Sequence, residues 1–551
     1  MELKKLIGFS LFFVLTLLSA MSLYARDKTN SFNAQQTTQQ NSQQNRQQYI
    51  QRIMHKPIYK QATWGLRVVD LTTNQVLIDQ NSNQSFFIGS VRKIFSVGEL
   101  MDAVGPQHRS ITTVHRDGEV VNGELKGNLV LIASGDLTMG GRTNPNGSIA
   151  ITDFDHNYSD ALGNSELTKP DPLAGYKQLA RRVKKAGINK ISGEVIIDDR
   201  LFEPFDFRGE FKVSPIFVND DVVDVIINPG KVNQNALVDW RPHSAAFHVV
   251  NHLKTVRAND AYTLELQPVI PDCYGQWYCH GEIKNNLPVN FVPPLTQRYP
   301  LIQTFRISKP ANYARIVLIE ALREAGVKVD HVIVQDNPTK LLKNSAFYNE
   351  SNAITSLTSL PYSDYAKLVL KVSYNIGADT SLVLFGKTHG VNNMQDSLKI
   401  EKDVLQHKYG ISPSGFHFVD GSGGAETSAT GKTVTDWLQI MFKTPSFKSF
   451  YQAFPILAVD GSVAFVKNFE SQPALRGAAG HVYVKPGTFL QGHDGVITVK
   501  GQALAGYILT KHHHLLAFHL VVNHFDIQSI NDLLNIFQDQ GEIVANLWSE
   551  Y

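Results

Sequence analysis

Phe86-Phe87-Ile88-Gly89-Ser90-Val91-Arg92-Lys93-Ile94-Phe95 holds the one Ser-x-x-Lys of the 551-residue sequence. Residues i and i+3 share one face of a helix, so a helix starting here sets the Lys93 amine beside the Ser90 hydroxyl. A serine hydroxyl is a weak nucleophile at neutral pH and needs an adjacent base. A lysine serves as that base when burial and nearby positive charge keep its amine neutral. Downstream, Ile94, Phe95, Val97, Leu100, Met101 and Val104 recur with helical period, and Gly105-Pro106 stops the pattern. Ser90 therefore falls at the N-terminal end of a helix, where backbone N–H groups and the dipole favour negative charge. Composition alone yields about two such matches by chance in a chain this long, so the motif's partners decide its meaning.

Just upstream, Gly65-Leu66-Arg67-Val68-Val69-Asp70 and Gln75-Val76-Leu77-Ile78-Asp79 read as strands joined by a turn at Leu71-Thr72-Thr73-Asn74. From about 107 to 304 short strand-like runs recur, among them Asn128 to Ile132, Gly193 to Asp198, Val222 to Ile227 and Tyr262 to Leu266, with one clear helix at Tyr176 to Lys185. Helical period returns at Tyr313 to Ala325, Tyr362 to Val372, after Asn375, and near Val434 to Phe442. The C-terminal part is again sheet, with Val482 to Lys485, Gly495 to Val499 and a hairpin from Leu504 to Val522, closed by an amphipathic helix from Ile527 to Leu547. The economical assembly pairs the two end sheets into one antiparallel sheet covered by the first and last helices. The expected fold is α+β. Residues 49–106 and 305–551 form one discontinuous domain, and 107–304 form a β-rich insertion.

Composition is globular, with 43% hydrophobic and 19% charged residues. A formal charge of +2 and the lack of a long basic run give no nucleic-acid argument. Residues 1–25 read as a secretory signal, with Lys4 and Lys5 before an apolar run from Leu6 to Leu18 that is shorter than the ~20 residues of a spanning helix. An uncleaved anchor is the alternative. The Gln-rich residues 26–48 cannot bury a core and are expected to be a disordered spacer. Export makes a disulfide permissible, so Cys273 and Cys279 are expected to pair locally rather than stay free. They lack a second ligand pair for zinc. Lys511-His512-His513-His514 falls at a hairpin turn, and no metal site is assigned. His493-Asp494 is read as shaping its loop, Asp136 and Asp420 as turn-forming carboxylates. Tyr374 and Phe87 are left between cleft and core.

Two further motifs follow Ser90-x-x-Lys93: Ser373-Tyr374-Asn375 between two helices, and Lys485-Pro486-Gly487-Thr488 on a strand of the C-terminal sheet. In this order they resemble the penicilloyl-serine transferase signature. The wider sequence looks like the penicillin-binding protein 4 type of D-alanyl-D-alanine carboxypeptidase/endopeptidase from about residue 60 onward. Ser134-Gly135-Asp136-Leu137, Asp420-Gly421-Ser422-Gly423 and Phe454 to Ser462 resemble that family's Gly-x-Gly-Asp-Pro, Asp-Gly-Ser-Gly and Leu-Pro-x-x-Gly-x-Asp-Gly-Thr segments. Gly506-Tyr507-Ile508 fits its penultimate strands. The long interval between Ser90 and Ser373 is the family's mark.

The resemblance implies a β-lactamase/transpeptidase-like fold and a periplasmic serine peptidase acting on peptidoglycan stem peptides or their cross-links, without cofactor. Ser90 attacks, Lys93 takes the proton, Ser373 relays it, and Lys485 contributes positive charge. Asn375, Gly487 and Thr488 bind substrate, with the N–H groups of Ser90 and Thr488 as oxyanion donors. β-Lactams are expected to acylate the same serine. Whether the protein self-associates stays open. The sequence departs from the family where Lys-Thr-Gly becomes Lys485-Pro486-Gly487, which removes a hydroxyl and a backbone N–H. A non-catalytic peptidoglycan-binding member, or a β-lactamase or esterase of the same superfamily, is the alternative reading.

Overall fold

Period-two alternation builds the central sheet. In a computed structural model, which describes residues 47–551 apart from 160–162, 425, 494 and 495, five strands run in the order Val76–Gln80, Thr63–Asp70, Leu515–Asn523, Val496–Leu509, Val482–His493. All neighbours are antiparallel, and the two chain ends meet in a continuous register from Thr63 opposite Asn523 to Asp70 opposite Leu516. Successive side chains on a strand point to opposite faces. Ala503, Ala505, Tyr507, Ala517 and Val521 accordingly enter one core, and Leu504, Ile508, Leu516, Phe518, Leu520 and Val522 enter the other. The first core holds the helix Lys93–Val104 with Tyr362–Lys371, Asn375–Thr388 and Gly431–Phe442. The second is covered by the last helix, Ile530–Glu550, and by a helix at 47–54 whose Ile50, Ile53 and Met54 are buried. Sheet and covering helices thus assemble as the sequence predicts.

The signal at 1–25 and nearly all of the proposed spacer lie outside the described residues. Gln47 and Gln48, assigned to the spacer, are instead the first turn of the helix at 47–54. Among the described residues no helix is long and apolar enough to cross a membrane.

The inserted part reaches further than 304. Its main sheet runs Lys328–Val329, Lys190–Ile191, Glu124–Ile132, Ile111–Val121, Ala353–Thr358, with Val195–Asp198 also paired to Glu124–Ile132. Helices Ala174–Lys185 and Pro310–Glu324 bury their apolar sides in a separate core with it. The chain returns to the central body near Leu360, so the boundary at 304/305 is corrected by about one helix and two strands. Helical period marks an apolar face without saying which sheet it meets, so the pattern over Tyr313 to Ala325 is equally compatible with either core. Cys273 and Cys279 are joined in a disulfide.

Trp437 fixes the Lys93 helix from its far side. It is fully buried, its Nε1 donates to the Ile94 carbonyl at 2.9 Å, and its ring stacks on Phe95. Removing a buried aromatic of this size costs about 3–5 kcal/mol, so the start of that helix is held firmly.

Candidate active site

Three glycines bring the motifs together. Gly89 has φ +47° and opens a 3₁₀ turn, Gly89–Arg92, which passes directly into the helix Lys93–Val104. A Cβ on Gly89 would stand 2.8 Å from the Thr488 nitrogen. One on Gly487 would stand 2.8 Å from the Ser90 nitrogen, and one on Gly423 2.9 Å from it. Contacts that short are closed to any other residue without a shift of backbone. The edge strand Val482–His493 and the Asp420 loop therefore press on the turn that carries Ser90.

Within that frame Lys93 Nζ lies 2.6 Å from Ser90 Oγ, 2.7 Å from Asn375 Oδ1 and 2.8 Å from the Ser422 carbonyl oxygen, all within hydrogen-bond reach. Lys485 Nζ donates to Ser373 Oγ and to the Pro486 carbonyl, each at 2.8 Å. Both lysines are fully buried. Burial, then the Arg208 charge, push the Lys93 amine well below the lysine range. Asp379 and Asp420 oppose that shift, and Arg92 adds to it. Burial and the charge of Lys93 push Lys485 down as well. Two ammonium groups this close in a dry site cannot both stay charged cheaply.

Ser373 sits at φ +66°, in the left-handed region that glycine favours and other residues adopt only under strain. Such strain persists where surrounding contacts fix the residue, here with its hydroxyl on Lys485 and Asn375 opening the helix Asn375–Thr388. Pro486 lies on the edge strand, where proline is tolerated in a sheet. The Thr488 hydroxyl donates to Gln502 Oε1 at 2.5 Å.

The site thus gathers Ser90, Lys93, Ser373, Asn375, Lys485, Gly487 and Thr488. Tyr374 is core, 1% exposed, whereas Phe87 is half-buried against Phe489. Asp420 accepts the N–H groups of Ser422, Gly423 and Gly424, and Asp136 those of Thr138 and Met139, so both form turns. His512 and His513 are exposed in their turn. The side chains of His493 and Asp494 lie outside the described residues.

Sequence reading missed four contributors. Asp379, four residues after Asn375 on the same helix face, accepts the Gly421 N–H at 2.9 Å, and burial with the nearby Asp420 carboxylate pushes its carboxyl up to about 8. The i, i+4 spacing from Asn375 was the available signal. Ser422 acts through its carbonyl, which no motif advertises. Arg208 reaches in from the inserted region.

The fourth is Arg92, inside the Ser-x-x-Lys itself. It donates to the Asp420 carbonyl at 2.8 Å and to Glu401 at 2.6 Å, with its guanidinium over the Phe418 ring. Glu99 lies next to this pair. Burial, then the Glu401 carboxylate, hold its carboxyl well above the usual glutamate range. A raised folded-state pKa gives stability that is complete below the unfolded value of 4.5 and is lost as pH rises. Glu99→Gln, which cannot ionise, is expected to melt higher than the parent, with a gap that widens as pH increases above about 5. A gap independent of pH in thermal melts would contradict this.

A family model described as D-Ala-D-Ala carboxypeptidase 3 (S13) matches residues 46–540. The chain belongs to that family. It is a serine-type D-Ala-D-Ala carboxypeptidase, a hydrolase. The D-alanyl-D-alanine carboxypeptidase DacB of Haemophilus influenzae is 23% identical over 435 residues, covering 75% of this chain and 78% of its own. The crystal structure of penicillin binding protein 4 (dacB) from Haemophilus influenzae superposes with a TM-score of 0.66 at 19% identity, covering 91% of this chain and 99% of that one. The same protein complexed with a β-lactam gives 0.63 at 19% identity, with the same coverage. These likenesses agree with the α+β fold described above.

Proposed function

We propose that this S13 enzyme hydrolyses peptidoglycan stem peptides through an acyl-enzyme on Ser90, cutting D-Ala-D-Ala termini, D-alanyl cross-links, or both. The observation that carries the reading is the fully buried Lys93 amine, 2.6 Å from Ser90 Oγ and depressed in basicity. A base within hydrogen-bond reach and with a pKa drawn toward the working pH is what general-base catalysis requires. Ser90 Oγ attacks the carbonyl carbon while Lys93 Nζ takes its proton. The tetrahedral oxyanion forms against the N–H groups of Ser90 and Thr488. As the C–N bond breaks, Lys93 passes the proton it took from Ser90 through Ser373, which is tied to Lys485, to the leaving amine and is neutral again. Water, deprotonated by Lys93, then cleaves the ester and restores Ser90.

A β-lactam offers the same carbonyl and is expected to acylate the same serine. The Haemophilus influenzae relative complexed with a β-lactam supports this. An exported, periplasmic location, proposed from the signal at 1–25, fits a substrate in the cell wall.

Incubating the protein with labelled penicillin should give a covalent adduct that Ser90→Ala abolishes, while both proteins melt alike. Folded parent protein that takes up no label would sink the acyl-enzyme. Labelling without turnover of muropeptides would instead support a binding protein that kept its serine, as Pro486 suggests.

A further inference from the structure

Arg208 is the one charged side chain of the inserted region that donates to the Ser422 hydroxyl among the described residues. It lies at the turn between the paired strands Phe205–Phe207 and Phe211–Val213. Phe205, Phe207, Phe211 and Val213 are buried in the same core as the Lys93 helix, so the hairpin is seated against the central body. Asp206 Oδ1 accepts the Gly209 N–H at 2.6 Å and closes the turn. Arg208 has φ +54°, a region glycine fills without strain. A long charged side chain there is held for what its head group does.

That head group lies over the Phe207 ring, and Nη2 donates to Ser422 Oγ at 3.1 Å. Ser422 is fully buried. Its hydroxyl also lies 3.2 Å from Asp420 Oδ2 and 3.3 Å from Asp379 Oδ2, and its carbonyl accepts the Lys93 amine at 2.8 Å. One residue is thus held at its hydroxyl by the insertion and at its carbonyl by Lys93.

We propose that Arg208 is a positioning residue of the acylation step and acts on Lys93 through Ser422. This rests on Lys93 being the base for Ser90. The contact fixes the carbonyl that aims the amine at Ser90 Oγ. The guanidinium also adds like charge. The charged groups around Lys93 are Arg92 at the end of the preceding turn, Asp379 on the Asn375–Thr388 helix, Asp420 on its loop, Lys485 on the edge strand and Arg208 on the hairpin. After burial, Arg208 is the largest charge acting against a proton on Lys93. The two carboxylates would otherwise favour the ammonium form, which cannot accept the Ser90 proton. The insertion is then part of the chemistry, because the seating of its hairpin sets how basic and how well aimed Lys93 is.

The test is the pH dependence of penicillin acylation in the full chain, comparing the parent with Arg208→Gln and Arg208→Lys. Both replacements share arginine's cost in the left-handed turn, so differences report the head group. Arg208→Gln is expected to slow acylation about three- to tenfold on the acid limb, with the loss shrinking as pH rises and as salt is raised. Arg208→Lys should recover most of the rate. An unchanged limb with weaker saturation would overturn the proposal in favour of direct binding of the substrate's anionic group. No change in either would overturn it outright. Failure of the parent itself to acylate would indict the acyl-enzyme reading instead.

Discussion

Lys93→Met is expected to slow acylation of Ser90 by penicillin about 10³- to 10⁴-fold and to leave the protein folded. Methionine nearly matches the lysine stem in volume, so the buried slot stays filled and the cavity cost of a truncation is avoided. What disappears is the amine, and with it the acceptor for the Ser90 proton and the donor to Asn375 Oδ1 and the Ser422 carbonyl. Losing a donor to a buried carbonyl costs about 1–3 kcal/mol, whereas relieving a buried amine of its desolvation works the other way. The melting temperature should therefore move by only a few degrees. Lys485 cannot substitute, because its amine is committed to Ser373 Oγ and the Pro486 carbonyl. Time-resolved labelling with a thermal melt on the same sample checks both halves. Acylation within tenfold of the parent would mean that some other group takes the Ser90 proton.

Much of this site was legible because its parts obey local rules. Helical period from Ile94 to Val104 and the stop at Gly105 placed Ser90 at a helix start, and the strand-like run Val482 to Lys485 placed Lys485 on a strand of the C-terminal sheet, which lies at its edge. What could not be read lies where local rules run out. The helix Met394–His407 went unseen although Met394, Leu398, Val404 and Leu405 recur with helical period, and its most deeply buried positions, Ser397, Glu401 and Leu405, are mostly polar. Glu401 is buried there to meet Arg92, a partner 309 positions away. Arg208 had no signal at all, since its role depends on a hairpin of the insertion folding back onto a loop more than two hundred residues later. The helix Pro310–Glu324 was seen but given to the wrong core, because amphipathicity does not name the surface it covers.

The three glycines around Ser90 mark the point where sequence and site constrain each other most tightly, and Gly487→Ala tests it. A Cβ at 487 would lie 2.0 Å from the Ile88 carbonyl oxygen, 2.7 Å from the Val91 nitrogen and 2.8 Å from the Ser90 nitrogen. These are backbone atoms of a turn held from behind by Trp437 through the Ile94 carbonyl, so the turn cannot give way alone. The edge strand must retreat, and Lys485 and Thr488 travel with it. Overpacking of this kind costs about 1–3 kcal/mol of stability. The kinetic loss should be larger, because a displacement near 1 Å in a reacting constellation costs about 10²-fold. Gly492→Ala, on the same strand with nothing within 4 Å of the added carbon, is the control for any general effect of removing a strand glycine. Acylation by Gly487→Ala should fall at least 10²-fold below Gly492→Ala, in samples shown by melting to be folded. Equal rates for the two variants would mean that the edge strand does not need its close approach to Ser90, and that Thr488 is not placed by it to receive the oxyanion.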